Sequence, residues 1–217
     1  MTLKKKLSSN GLLYLILDKQ AADKLNIGIV NLAKKLASSS LDLVQLRVKK
    51  NNDFEFLKLA KELSDLFKKN KKIFLVNDRV DIACLAKTDG LHLGKTDIPV
   101  AEAKRLLNKD KIIGRTIHHL KELESIDQNS VDYLALGPFY NSKTKQNNRP
   151  PLKNNEIKQI TAKAKKVLFA IGGINRYNIG SVLKHKIKNV VVSSAILSSP
   201  NPFDEIKEIK KCLKKVS

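Results

Sequence analysis

Short apolar segments alternate with amphipathic segments along most of the chain. Each of eight runs rich in Val, Ile and Leu leads into a polar turn, and helix-like stretches lie between them. This alternation is typical of parallel strands joined by crossover helices. The predicted strands comprise residues 12–18, 42–47, 73–77, 90–93, 112–116, 132–137, 167–172 and 189–194.

The segment at residues 54–69 shows the helical pattern clearly, because its apolar residues recur at intervals of three and four. Pro99 and Pro202 stand where the first turn of a helix would begin, a position that tolerates proline.

Eight strand–helix units can either close into a barrel or lie open as a doubly wound sheet. Polar residues follow nearly every predicted strand, whereas an open sheet would concentrate them at its topological switch point. We therefore predict the α/β class and a single (β/α)8 TIM barrel over residues 1–217, with the active site at the C-terminal ends of the strands. Residues 1–10 are predicted to be a flexible basic N-terminus.

The chain carries 42 Lys and Arg against 21 Asp and Glu, a formal net charge of +21. This excess raises the question of a nucleic-acid partner. The lysines are spread over nearly every predicted helix, so nucleic-acid binding is not expected, whereas anionic small substrates suit a positive field. No apolar run of about 18 residues occurs, so we expect no membrane association and a cytoplasmic location. Whether the chain forms a homo-oligomer stays open.

The second predicted strand ends in a basic cluster. Gln45, Arg47 and Lys49 alternate along the strand and so lie on the same side, where two cations could face one anion. A solvated basic turn would show the same pattern.

The third and fourth strands each lead into a carboxylate. Asn77 and Asp78 follow one apolar run, and Asp97 follows the next strand. Adjacent barrel strands end close together, so Asp78 and Asp97 could share a Mg²⁺ ion, with substrate phosphate completing its coordination. The Asn-Asp pair could instead cap a helix. His92 lies among apolar neighbours, which favours an interior residue over a metal ligand.

Two further strand ends suggest a metal-free anion site. Gly173 follows the seventh strand, and Ser193 and Ser194 follow the eighth. In such barrels these two loops and a helix N-terminus commonly bind phosphate. The loop after the sixth strand adds two hydroxyls and two amines, on Ser142, Lys143, Thr144 and Lys145.

Taken in order, these segments resemble the thiamine-phosphate synthase family from about Tyr14 to Ile196. The segments are QLRVK, VNDRVDIA, DGLHLGKTD, IIGRTIHH, GPFYNSKTK, AIGGI and VVSSAI. The resemblance implies a Mg²⁺-dependent transferase that joins a pyrimidine diphosphate to a thiazole phosphate and releases pyrophosphate.

The resemblance also implies a role for each matching residue. The pyrimidine diphosphate would be bound by Gln45, Arg47, Lys49, Asn77, Thr116 and Lys145. Among these, the catalytic groups would be Arg47, Lys49, Thr116 and Lys145. The thiazole phosphate would be bound by Ser142, Lys143, Thr144, Gly173, Ser193 and Ser194, and Mg²⁺ by Asp78 and Asp97.

The chain departs from the family pattern at several positions. Val48 replaces the usual Glu, Ser142 stands where Thr is common, Thr116 replaces Ser, and Arg115 replaces a small apolar residue. Residues 146–154 lack the family's glycine-containing pattern.

Two other functions remain open at this stage. A related thiazole tautomerase shares the barrel and would use His118 or His119 as its base, but it needs neither a metal-binding carboxylate pair nor a cation on pyrophosphate. The other alternative is a non-catalytic barrel that binds a phosphorylated ligand or nucleic acid. Pyrophosphate release distinguishes the synthase from both.

Overall fold

The chain folds into one closed barrel of eight parallel strands, as a computed structural model of residues 2–50, 52–141 and 149–215 shows. Each strand pairs with the next in sequence, and β8 returns to pair with β1. The strands are β1 (Leu13–Asp18), β2 (Leu43–Arg47), β3 (Ile73–Asn77), β4 (Gly90–Leu93), β5 (Ile112–Ile117), β6 (Tyr133–Leu136), β7 (Val167–Ile171) and β8 (Asn189–Val192). The predicted (β/α)8 barrel is confirmed, and each strand lies within about two residues of its predicted bounds.

Helices precede, connect and follow the strands. They are α1 (Leu3–Leu7), α2 (Lys19–Lys24), α3 (Ile29–Leu36), α4 (Asp53–Lys69), α5 (Val80–Leu85), α6 (Val100–Leu106), α7 (Leu120–Ser125), α8 (Asn154–Lys163), α9 (Ile179–Leu183), α10 (Ser194–Leu197) and α11 (Pro202–Lys214), with a 3-10 turn at Gln128–Ser130. Pro202 begins α11 as predicted, whereas Pro99 is the N-cap residue of α6 and not part of its first turn. Within the described ranges, no helix combines the length and the apolar character needed to cross a membrane.

The strands are buried on both faces, which explains their nearly continuous apolar runs. Alternate side chains point into the barrel and out towards the helices. The interior cluster includes Tyr14, Leu75, Tyr133 and Phe169, and a larger outer cluster lies between the strands and the helices. Side chains therefore fill the barrel interior below the carboxyl ends of the strands.

Part of the N-terminal segment for which we predicted flexibility is helical. Residues 3–7 form α1, and Leu7 is only 1% exposed because it packs with interior residues such as Leu12 and Ile73. Lys4 also forms an ion pair with Asp132 at 3.1 Å. This helix covers the amino-terminal end of the barrel, since Leu12 and Ile73 lie where β1 and β3 begin.

Candidate active site at the carboxyl ends of the strands

An ion pair joins the ends of β1 and β2. Arg47 pairs in register with Asp18, and its guanidinium donates a hydrogen bond to the Asp18 carboxylate. The other oxygen of Asp18 accepts from the N–H of Ala21 at 3.0 Å and so caps α2. Asp18 thus holds Arg47 at the barrel mouth. Our prediction missed Asp18, although a carboxylate closing an apolar strand run was a visible signal.

Lys49 and Asp78 form a second ion pair, between the loops after β2 and β3. Asp78 adopts a left-handed backbone with φ of 65°, and its N–H donates to the carbonyl of His92 at 2.9 Å. The alternative role of helix cap is excluded, because the N-cap residue of α5 is Arg79 and no side chain caps that helix. The Asp78 carboxylate is instead directed to the barrel mouth.

Asp78 and Asp97 are in contact, as the loop positions predicted. Burial and the hydrogen bond to Asp97 raise the pKa of Asp78 to about 6, against the opposing effect of Lys49. Burial also acts to raise the pKa of Asp97, but hydrogen bonds from Asp78 and from the Gly94 N–H, at 2.6 Å, outweigh it and the pKa is lowered. The two carboxyls therefore share a proton at weakly acidic pH.

This carboxylate pair fits a Mg²⁺ ion that also binds substrate. Mg²⁺ in phosphate-binding enzymes usually takes one or two carboxylates, and substrate oxygens and water complete its octahedron. Among the residues that the structure describes, no group of three or more His, Cys, Asp and Glu could hold a metal by itself. A divalent cation would offset the burial and the proximity to Asp97 that raise the pKa of Asp78.

Thr116 and Gln45 lie in a buried polar layer under the mouth. His92 contacts the Thr116 hydroxyl through Nε2 at 2.7 Å and the Tyr133 hydroxyl through Nδ1 at 2.8 Å. Gln45 donates to the Tyr14 hydroxyl at 2.5 Å. His92 is thus an interior residue, as we inferred, but one that contacts a predicted site residue. Asn77, which is also buried, pairs with His92 in the strand register.

The ends of β7 and β8 lie beside each other at the predicted phosphate site. Gly173 has a φ of 65°. Ser193 is the N-cap residue of α10, and its hydroxyl donates to the Ile16 carbonyl at 3.0 Å. Ser194 is the first residue of α10, where an N–H group has no partner within the helix. Backbone donors are therefore better placed than the Ser193 hydroxyl to bind an anion.

Four predicted site residues, Ser142, Lys143, Thr144 and Lys145, lie outside the described residues. The flanks of this segment are held near β7. The Tyr140 N–H donates to the Gly172 carbonyl at 3.0 Å, and the Leu152 N–H donates to the Pro138 carbonyl at 2.9 Å. Tyr140 and Leu152, on either side of the segment, therefore lie near the carboxyl end of β7.

Arg115, a departure from the family pattern, supports the loop that carries Asp97. Its guanidinium donates to the Gly94 carbonyl, while the Gly94 N–H donates to Asp97. Arg115 thus contacts the backbone that orients Asp97. Val48, another departure, is a buried member of the outer apolar cluster.

The two histidines of the tautomerase alternative are both engaged near β5. His118 Nδ1 is 2.6 Å from the Gly137 carbonyl, so this nitrogen must be the donor. His119 is half-exposed and lies 3.9 Å from Glu156. His119 therefore lies near the first turn of α8.

Comparison with known proteins identifies the family of the chain. A family model described as thiamine monophosphate synthase matches residues 13–196. A thiamine-phosphate synthase of Lawsonia intracellularis is 32% identical over 201 residues, which are 93% of this chain and 92% of that protein. A thiamine-phosphate synthase of Prochlorococcus marinus is 36% identical over 82% of this chain but only 50% of its own length, so the chain spans about half of that relative.

A solved structure gives the same relationship. The thiamine phosphate pyrophosphorylase from Pyrococcus furiosus superposes with a TM-score of 0.84 and 26% sequence identity, over 99% of both chains. The chain therefore belongs to the thiamine monophosphate synthase family.

Proposed function

We propose that this chain is a Mg²⁺-dependent thiamine-phosphate synthase. It would condense 4-amino-2-methyl-5-(diphosphooxymethyl)pyrimidine with hydroxyethylthiazole phosphate, or its carboxylated form, to give thiamine phosphate and pyrophosphate. The observation that carries this proposal is the barrel mouth, where the Asp78–Asp97 pair lies beside Lys49. A diphosphate with its divalent cation needs this combination of carboxylates and a nearby ammonium group.

The pyrimidine diphosphate is assigned to the β2–β5 side of the mouth. Asp78 and Asp97 would hold Mg²⁺, which supplies charge stabilisation for the departing pyrophosphate. Arg47 and Lys49 would bind the same group, joined by Lys145 from the loop after β6. In the free protein Asp18 and Asp78 hold these two cations in place. Gln45, Asn77 and Thr116 would complete the binding site.

The reaction forms a bond between the thiazole nitrogen and the methylene carbon of the pyrimidine. The bond from that carbon to the diphosphate oxygen breaks, and its electron pair leaves with pyrophosphate. Since the electron-rich ring delocalises a developing cation, the main task of the protein is to stabilise the leaving group and align the thiazole. No protein nucleophile is required.

The thiazole phosphate is assigned to the β7–β8 side. Gly173 and the backbone of Ser193 and Ser194 would bind its phosphate, because α10 begins there. Ser142, Lys143 and Thr144 would bind the rest of this substrate.

An assay with purified protein tests the function directly. We expect thiamine phosphate and pyrophosphate in equal amounts from the two substrates, and loss of both products on chelation of Mg²⁺. A tautomerase would convert the thiazole phosphate alone, without pyrophosphate. A non-catalytic barrel would bind a substrate without turnover, and either of these results would overturn the proposal.

A further inference from the structure

A continuous chain of hydrogen bonds crosses the barrel interior beneath the mouth. It runs from Gln45 to the Tyr14 hydroxyl at 2.5 Å, to the Tyr133 hydroxyl at 2.9 Å, to His92 Nδ1 at 2.8 Å, and from His92 Nε2 to the Thr116 hydroxyl at 2.7 Å. Both end residues belong to the proposed pyrimidine diphosphate site. The three middle residues lie below it and were not among the predicted site residues.

The chain is buried throughout, and the fold makes room for it. Tyr14 and Tyr133 have no exposed surface, and their rings pack edge-on against Phe169 at centroid distances of 5.7 and 5.2 Å. Gly114 on β5 is required for this arrangement, because a Cβ there would lie 2.0 Å from the Tyr133 ring. Burial raises the pKa of both tyrosines, so each stays a neutral hydroxyl with one proton to donate.

In this chain of hydrogen bonds, the donor of one bond determines the donor of the next. The Gln45 amide nitrogen can only donate, so Tyr14 accepts and directs its own proton to Tyr133. Tyr133 in turn donates to His92 Nδ1, which leaves the imidazole proton on Nε2, facing Thr116. The Thr116 oxygen accepts that proton, which leaves the hydrogen of its own hydroxyl available to another acceptor. Rotation of the Gln45 amide by a half-turn would reverse every link.

We propose that Tyr14, Tyr133 and His92 are positioning residues, which hold His92 as the Nε2–H tautomer and so make the Thr116 hydroxyl a donor to the substrate diphosphate. The last step rests on the proposed function, whereas the tautomer does not. A hydroxyl already oriented as a donor needs no reorganisation when charge develops on the leaving group. Each hydrogen bond carries one proton. The direction of the bond at Gln45 therefore also sets the direction of the bond at Thr116, at the other end of the pyrimidine site.

The His92 tautomer is the direct test. Long-range ¹H–¹⁵N spectra of the substrate-free protein at neutral pH distinguish the two tautomers and the imidazolium. The protein has four histidines, and the His92→Asn variant identifies the signal of His92. We expect the Nε2–H form. A dominant Nδ1–H form, an imidazolium or a mixture would overturn the proposed direction.

Two matched variants test the consequence for turnover. Tyr133→Phe keeps the ring but removes the donor to His92 Nδ1, so we expect a mixed tautomer and a kcat lowered roughly tenfold, with little change in KM. Tyr14→Phe deletes the same group at the same burial but leaves the Tyr133–His92–Thr116 links in place. Because it acts one link further from His92, it should shift the tautomer less and lower kcat less than Tyr133→Phe does.

Both variants lose one buried hydroxyl, so a similar loss of thermal stability is expected from each. Equal effects of the two variants on kcat, with the tautomer unchanged in both, would mean a merely structural role and would overturn the proposal. At the end of the chain, Thr116→Ser should retain turnover and Thr116→Val should lose it; equal turnover in these two would also contradict the proposal.

The activity assay and the NMR spectra test the proposed function and the present inference separately. If the wild-type protein forms no thiamine phosphate, the proposed function is wrong, while the spectra still decide the direction of the chain. If the protein is active and His92 is the Nδ1–H tautomer, only the present inference is wrong.

Discussion

Asp78 combines two unfavourable features in one residue. Its backbone is left-handed, a conformation that costs most residues about 1–2 kcal/mol and that Asp tolerates better than most. Its carboxylate also lies against that of Asp97. Such arrangements persist where the surrounding structure imposes them, and they are concentrated at functional sites. At the barrel mouth, a bound cation would turn the repulsion into attraction.

The pKa of Asp78 predicts how stability depends on pH and Mg²⁺. It rises from an ordinary value of 3.8 to about 6 on folding, so in this window the folded protein binds more protons than the unfolded chain. Raising the pH through the window then lowers the free energy of unfolding of the metal-free protein. The lowered pKa of Asp97 affects stability only when the pH falls below 3.8, the ordinary pKa of this carboxyl. Mg²⁺ competes with the shared proton, so we expect it to raise Tm more at about pH 7.5 than at about pH 5.

Substitution of the same residue gives the control. Asp78→Asn and Asp97→Asn should each leave the fold intact by circular dichroism, weaken Mg²⁺ dependence and slow turnover. Asp78→Asn should also remove most of the Mg²⁺-induced rise in Tm. Asp23→Asn, an exposed carboxylate on α2 that pairs with Lys19, should leave that rise unchanged. An equal Mg²⁺ effect at both pH values in the wild type, or an undiminished one in Asp78→Asn, would remove the metal assignment.

Lys145 and Lys143 form a matched pair on the loop after β6. Only Lys145 is assigned to the departing pyrophosphate, where a charge matters more in the transition state than in the bound substrate. Lys145→Ala should therefore lower kcat on the order of a hundredfold or more, with a smaller rise in KM. Lys143→Ala should cost much less, as steady-state kinetics would show. Small and equal losses would mean that the loop supplies only a diffuse positive field.

At the scale of elements, the two ends of the barrel have different tasks. Helix α1 packs Leu7 against the amino-terminal ends of the strands, far from the polar mouth. In barrels of this class, the amino-terminal face serves stability and the opposite face carries the chemistry. The chain has a helix of only five residues at the amino-terminal end and the Asp18–Arg47 and Lys49–Asp78 ion pairs at the other.

Leu7→Ala should test this division of tasks. Loss of a fully buried leucine should lower the free energy of unfolding by roughly 2–5 kcal/mol, and kcat below the melting transition should stay unchanged. Leu25→Ala provides the control, because Leu25 is 44% exposed and its loss should change stability by about 0.5 kcal/mol or less. Denaturant unfolding measures both variants. Loss of kcat in the folded Leu7→Ala protein would contradict the prediction.

At Gly173 the loops after β6 and β7 approach each other closely. A Cβ at this position would lie 2.7 Å from the Asn141 carbonyl oxygen and from Tyr140 Cβ, and the φ of 65° is itself unfavourable for alanine. Gly173→Ala should therefore lower the free energy of unfolding by about 1 kcal/mol or more and weaken binding of thiazole phosphate. Gly180, within α9, has nothing near its missing Cβ, so Gly180→Ala should raise stability by about 0.5–1 kcal/mol.

Calorimetric titration with thiazole phosphate, together with thermal melts, measures both glycine variants. Unchanged affinity in a folded Gly173→Ala protein would move the phosphate site elsewhere.

The sequence allowed the strands to be predicted well because their signal is local: each is a continuous apolar run that ends in a polar turn. Features that depend on contacts between distant parts of the sequence could not be predicted in this way. Helix α1 is too short to show a helical period, and its burial depends on strand ends that lie far along the chain. Tyr14 and Tyr133 read as ordinary members of apolar strands, because their hydrogen-bond partners are 31 to 119 residues away. Pairings of that range come only from barrel closure.

At the scale of the whole molecule, the main question is whether the +21 net charge assists catalysis as a whole or only near the mouth. At about 0.1 M salt, charges separated by more than about 10 Å are largely screened, so lysines at the amino-terminal end should contribute little. At the mouth, Arg47 and Lys49 form partly buried ion pairs, and salt screens their charges less. The field that attracts phosphorylated substrates should therefore be local.

This argument predicts how salt affects the kinetics. Between about 50 mM and about 500 mM KCl, kcat/KM for the pyrimidine diphosphate should fall on the order of tenfold, because encounter of a charged substrate is steered. The kcat at saturating substrate should change less than about twofold, since the bound charges are desolvated. Replacement of Lys5, Lys6 and Lys71 by Gln removes three charges at the amino-terminal end and should leave the salt dependence as it is in the wild type. A clearly weaker salt dependence in that variant would mean that the whole lysine-rich surface attracts the substrate, and a salt-independent kcat/KM would mean that no part of it does.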